Sequence, residues 1–211
     1  MKNAFRRAIA GAFYAFAATP AIAQPLSFQR AHIATFDTKA AAEAATVNSG
    51  TLIIRTRGYA AANDGGGAVY SKLSCPGTLK TWHIRTNAGA GTCYVIDAAY
   101  PVPLEAFGFV SGGGAGTDAT NDTAFAALEE AVNTADLGIK RVFAKRGATY
   151  HWAAGTPSGT ALALDGVRGF ELDCQGALFS ARFSTNARVG FVSAINNASH
   201  NKVTACRGEQ P

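Results

Sequence analysis

Beyond residue 140 the apolar side chains come in short bursts: Val142 and Phe143, Leu162 and Leu164, Val167, Phe170 and Leu172, Leu178 and Phe179, then Phe191, Val192 and Ile195. A Gly, Asn or Asp separates each burst from the next. Runs this short between turn formers predict strands. Their spacing suits stacked coils in which the inward side chains of one coil rest on those of the next, although no exact repeat is present. Just upstream the period changes. Phe125, Leu128 and Val132 stand three and four apart, the apolar stripe of a short helix. Thr120 or Asn121 can cap its start, and Asp118 and Asp122 lie near the positive end of its dipole. After Gly138 the strand-like IKRVFA leads through KRGA into TYHW.

The first half has its own pattern. The segment FDTKAAAEAA, residues 36–45, predicts a short helix capped by Asp37. Residues 51–55 and 68–72 predict strands on either side of a DGGG turn, with TWHIR and TCYVI as two more. Gly89 and Gly91 supply the backbone freedom that a hairpin between the last two needs. Pro101 and Pro103 cannot donate to a central strand and mark a boundary at about residue 104. The first 23 residues are different in kind. Lys2, Arg6 and Arg7 precede an apolar run from Ala8 to Ala18, and Ala21-Ile22-Ala23 follows. This is the layout of a secretory signal peptide cleaved near Ala23, with an apolar run too short to span a bilayer. The expected organisation is residues 1–23 as a signal peptide, 24–104 as a small β-rich module, and 105–211 as the coiled segment.

Two stretches resemble known proteins. Phe107-Gly108, Thr117-Asp118, Asp122-Thr123-Ala124 and Gly147-Ala148-Thr149-Tyr150 stand in the order of the opening of the pectate lyase superfamily, in which a capping helix precedes the first coil. Upstream, Gly58-Tyr59, Asp64-Gly65-Gly66-Gly67 and Tyr70 are similar to a small module with a GYxxxxDGGGxxY signature that precedes the coils of phage tailspikes. Lys145-Arg146 replaces the usual Pro-Pro before the turn glycine. The resemblance implies a mostly β fold: a short right-handed parallel β-helix with an N-terminal capping α-helix, preceded by the small β-rich module. It also implies a protein that binds, cleaves or epimerises polysaccharides. Only some 100 residues follow Phe107, enough for about three coils, so the expectation is an incomplete coil stack without a full catalytic groove. An open end of that kind is covered by a homo-oligomer such as a trimer, by a disulfide staple, or not at all. The alternative is a non-enzymatic structural or attachment protein of tailspike or adhesin type.

Charge changes once the leader is set aside. It takes three of the 19 basic residues with it, leaving 16 basic against 14 acidic side chains and a net charge of +2. No basic stripe with interleaved aromatics remains, so nucleic acid is not an expected partner. The four cysteines, Cys75, Cys93, Cys174 and Cys206, all follow the leader, and an even count in an exported chain predicts disulfides. Three pairings are open. Cys75 with Cys93 and Cys174 with Cys206 is favoured because each pair falls within one expected module. No C-x-x-C or His-x-x-x-His spacing points to zinc, and no cofactor, metal or membrane anchor is expected.

The candidate chemistry is sparse. Residues 113–118, GGAGTD, match one copy of a calcium-binding nonapeptide, whereas such sites need stacked copies. A Gly-rich loop entering a helix can cradle phosphate, but Asp118 and Asp122 place negative charge where the anion would sit. Asp165, Glu171 and Asp173 are the acids of the expected coils, and Glu171 and Asp173, two apart on one strand, share a face. Tyr150 and Trp152 share a face as well and offer rings on which sugars can stack, the expected substrate-binding pair. The other use for those rings is packing beneath the helix. No catalytic residue is assigned.

Overall fold

The computed structural model describes residues 32–113, 115–134, 137–153, 162–181, 192–195 and 198–209. The expected leader, Phe191 and Gly114 of the calcium-like run lie outside the described residues.

The first half builds a five-stranded mixed sheet. Its strands are β1 (His32–Phe36), β2 (Thr51–Thr56), β3 (Val69–Leu73), β4 (His83–Arg85) and β5 (Cys93–Ile96), in the order β1-β2-β3-β5-β4. Only β1 and β2 run parallel. Between them lies helix α1 (Lys39–Ala44). Its cap is Thr38, whose hydroxyl accepts from the Ala41 N–H at 3.1 Å. The neighbouring Asp37, expected in that role, instead pairs with Arg57 across 3.1 Å. The sheet's inner face is Ile54, Tyr70, Ile84, Tyr94 and Ile96, all buried.

The DGGG turn joining β2 to β3 is organised by one carboxylate. Asp64 accepts from the backbone N–H groups of Tyr59, Ala60, Ala61 and Gly66, at 2.7 to 3.2 Å. Burial alone would raise its pKa, but these four donors outweigh that and hold it below the ordinary value. Gly66 is needed for close approach: a Cβ there would fall 2.6 Å from the Tyr59 Cβ and 3.0 Å from Glu105. The turn is thereby seated against the short 3-10 turn Leu104–Phe107.

The second half consists of short strands: β6 (Val102–Pro103), β7 (Arg141–Phe143), β8 (Thr149–Trp152), β9 (Leu162–Asp165), β10 (Glu171–Asp173), β11 (Leu178–Ala181), β12 (Val192–Ile195), β13 (Lys202–Thr204) and β14 (Arg207–Glu209). They form three small parallel sheets, β13-β10-β7-β6, β14-β11-β8 and β12-β9. The expectation of a right-handed parallel β-helix is therefore corrected. The described residues make several small sheets, one mixed and three parallel, with two α-helices, and no right-handed β-helix is seen among them. Hydrophobic bursts report how short each strand is and which face is inward. They do not report whether strands close into a continuous coil.

Helix α2 (Asp118–Asn133) lies against the second half. Its buried face is Ala124, Phe125, Leu128, Ala131 and Val132, and its cap position is Thr117, three to four residues before the expected Thr120 or Asn121. Its polar side chains have another task, because β8 and β9 present free backbone groups on the side facing α2. Asn133 donates to the Ala163 carbonyl at 3.0 Å and accepts from the Asp165 N–H at 3.0 Å, while Glu129 accepts from the Ala163 N–H at 2.8 Å. Asp122 accepts from the Ala153 N–H at 3.1 Å. Side chains four and seven apart stand on one helix face, so the helix satisfies backbone groups that would otherwise be an open edge.

One core cluster runs from Ala42 through Val102 and Leu104 to Ala181. Disulfides join Cys75 to Cys93 and Cys174 to Cys206. The first staples β3 to β5, and the second ties the turn after β10 to the segment between β13 and β14. Two disulfides are consistent with a secreted protein. Among the described residues no helix is long and apolar enough to cross a membrane.

Candidate functional site

The outer face of the sheet β6-β7-β10-β13 carries the densest functional chemistry. Alternation sends Val142 and Leu172 into the core and leaves Arg141, Phe143, Glu171 and Asp173 outside. Parallel register then aligns them. Arg141, Glu171 and Lys202 form one row across three strands, and Phe143, Asp173 and Thr204 the next. Together with Pro101 and Gln175, these β7 and β10 side chains line an open groove of about 310 Å³, near the lower end of the roughly 300–1,000 Å³ typical of ligand sites.

Glu171 sits between two cations. Its Oε1 lies 3.3 Å from the Lys202 ammonium and its Oε2 3.5 Å from the Arg141 Nε. Both cations are largely exposed, so each pair is worth at most about 1 kcal/mol. The effect is on orientation: the guanidinium is held by its Nε edge, and its two terminal nitrogens have no partner among the described residues. Asp173 accepts from the Gln175 N–H at 3.1 Å, which fixes the turn that leaves β10. The groove thus offers an unengaged guanidinium fork, a carboxylate, and the apolar rings of Phe143 and Pro101. Asp165, the third acid singled out in the sequence, ends β9 in another sheet and is exposed.

Tyr150 and Trp152 do share a face, as strand alternation requires, but it is the inner one. Tyr150 is fully buried and Trp152 is 3% exposed. The Tyr150 ring stacks on Phe179 at 5.1 Å and meets Phe109 edge-on, and Trp152 packs on Phe125 of α2 at 5.6 Å. Neither ring has a face to give a sugar. They belong to the packing beneath the helix. Among the described residues no group of three His, Cys, Asp or Glu side chains is placed to hold a metal ion.

One group that the sequence did not mark is Glu105, 3% exposed. In LEAFG it reads as an ordinary surface charge. Tyr150 donates its hydroxyl to one Glu105 oxygen, and the Lys145 N–H donates to the Tyr150 oxygen at 3.1 Å. The other Glu105 oxygen has no hydrogen-bond partner among the described residues. Burial pushes this carboxyl above its ordinary value, against the opposing pull of the Tyr150 hydroxyl and the Lys145 charge, and the nearby Asp64 pushes the same way as burial. Because the folded state holds the proton more tightly than the unfolded chain, this group's stabilisation is fully present at low pH. It is lost as pH rises through the folded value. In urea titrations from about pH 4 to pH 8, the stability of the wild type relative to Glu105→Gln is expected to fall as pH rises. A difference that stays flat or rises contradicts the buried carboxyl. Asp64, whose lowered pKa acts in the opposite direction at the acid end, is present in both proteins, so the comparison retains only its coupling to Glu105.

The chain matches no protein-family model and no curated protein.

Proposed function

We propose that this is an exported polysaccharide-binding protein and that the groove on the outer face of β7 and β10 is where an acidic polymer lies. The observation that carries this proposal is the unengaged fork of Arg141 beside the Phe143 and Pro101 rings. A guanidinium held at one edge is arranged to meet a carboxylate with two parallel hydrogen bonds, and apolar rings suit the C–H faces of a sugar. Export is supported by the leader-like segment that ends near Ala23 and by the disulfides. The likeness of the Phe107-Gly108 and Thr117-Asp118 segments to the pectate lyase superfamily supports the choice of polysaccharide.

Binding is favoured over cleavage. Hydrolysis of a glycosidic bond needs two carboxyl groups with separate roles, one of them a proton donor, and Glu171 lies beside two cations, Arg141 and Lys202, that favour a carboxylate partner over a donor. That same feature leaves room for the second reading, a non-enzymatic attachment protein of tailspike or adhesin type, which the DGGG turn supports. Affinity electrophoresis in gels containing pectin or alginate distinguishes the outcomes. Retardation by an acidic polymer is expected, with Arg141→Ala weakening it by about tenfold, or 1.4 kcal/mol. The effect shrinks with added salt, since the contact is exposed. Free migration in every acidic gel would dismiss the proposal.

A further inference from the structure

The two sequence motifs that the groove does not use converge elsewhere. Tyr59 of the first and Phe107-Gly108 of the second meet at a second cleft, of about 420 Å³, between the five-stranded half and the first two turns of α2. Tyr59 contributes aromatic surface over a floor that includes the buried Phe107, and Thr81, Thr120 and Thr123 bring hydroxyls. Gly108 keeps the cleft open. It closes the 3-10 turn Leu104–Phe107 with φ +95°, donates to the Glu105 carbonyl at 2.9 Å, and brings the backbone against Tyr59, where an added Cβ would lie in van der Waals contact 3.5 Å from the hydroxyl. A side chain at this position is disfavoured by the backbone.

The chemistry of this cleft contrasts with that of the groove. No Asp, Glu, Lys or Arg lines it. Lys39, whose ammonium lies 6.0 Å from the Tyr59 ring centroid, is paired with Glu43, and Lys80, beside Thr81 in the chain, is paired with Glu130. Asp122 directs its carboxylate to the Ala153 N–H. The Thr81 and Thr120 hydroxyls have no partner among the described residues, and Thr123, which donates to the Ala119 carbonyl, keeps an accepting oxygen. A charged ligand would find no counter-charge here, and a purely apolar one would bury hydroxyls against hydrocarbon. A pyranose, with an apolar C–H face and a rim of hydroxyls, meets both requirements.

We propose that this cleft is a second binding site, specific for a neutral sugar ring that stacks on Tyr59 and hydrogen-bonds to Thr81 and Thr120. It stands on its own residues and does not depend on the charged groove. Tyr59→Ala would also remove packing against Gly66, so the informative variant is Thr120→Arg, at an exposed helix position where a long side chain fills the cleft. The probes are cellotriose, maltotriose and galactobiose, titrated separately into isotopically labelled full chain. At least one is expected to saturate with a Kd tighter than about 10 mM, shifting the amides of Tyr59, Thr81 and Thr120. Thr120→Arg should weaken that binding at least about tenfold, with the melting temperature and retention by acidic polymer unchanged. Failure of all three sugars to saturate, or wild-type affinity in Thr120→Arg, would overturn the site while leaving the charged groove untouched.

Discussion

Asn121→Ala is expected to destabilise the protein by about 3 kcal/mol, the sum of several buried polar groups losing their partners at about 1–3 kcal/mol each. Asn121 is fully buried. Its Oδ1 accepts from the Val110 N–H at 2.8 Å, and its Nδ2 donates to the carbonyls of Val110 at 3.1 Å and His151 at 2.7 Å. One side chain in the first turn of α2 therefore fastens the helix both to the loop before it and to strand β8. Asn121→Asp provides a sharper comparison. It keeps the shape and the acceptor, but it turns a carboxylate toward two carbonyl oxygens and brings a charge into the interior. Asn121→Asp is expected to be at least as damaging as Asn121→Ala in urea denaturation at neutral pH, and to recover part of the loss when acidified. Midpoints within error of wild type for both variants would show that the helix is held by its apolar face alone.

Loss of the Cys174–Cys206 bridge carries a cost of similar size. The bridge closes a loop with a sequence separation of 32 residues, for which restriction of the unfolded chain is worth roughly 3–4 kcal/mol. Cys174 is fully buried, and its N–H donates to the Thr204 carbonyl at 2.9 Å. The bridge thus sits where β13 and β14 attach to the sheets as edge strands. In Cys174→Ala/Cys206→Ala, hydrogen exchange is expected to accelerate first at the amides that anchor these strands, Cys174 to Thr204, Lys202 to Phe170 and Arg207 to Ala177. Exchange in the five-stranded half should change less. Uniform acceleration across both halves would mean that the bridge stabilises only by global unfolding, and no acceleration would mean that the strands hold without it. Since Lys202 braces Glu171, the same variant is also expected to weaken polymer retention.

The elements legible in the sequence were those encoded by local periodicity. Phe125, Leu128 and Val132 mark the inner face of α2 because helical spacing is a property of neighbours. Glu171 and Asp173 share a face for the equally local reason that strand residues alternate. What was not legible depended on distant partners. Arg141 and Lys202 reach Glu171 only through parallel pairing across segments some 30 residues apart, and a three-residue burst does not encode its own register. Alternation put Tyr150 and Trp152 on one side without saying which side was inside. Here the aromatic surface of α2 and of Phe179 decided it. Asn121 illustrates a different ambiguity: the side chain that caps a helix end is also the one that can clamp a backbone segment, and its burial alone distinguishes the two. Closure of the strands into a single coil could not be read from burst length.

The account centres on a charged groove built by β7 and β10, so the most direct measurement is a residue-resolved amide titration of the folded chain with oligogalacturonate. The expected result is saturable shifts clustered at Arg141, Phe143, Glu171, Asp173 and Gln175, lost in Arg141→Ala. Saturable shifts confined to other surfaces, or none, would contradict it.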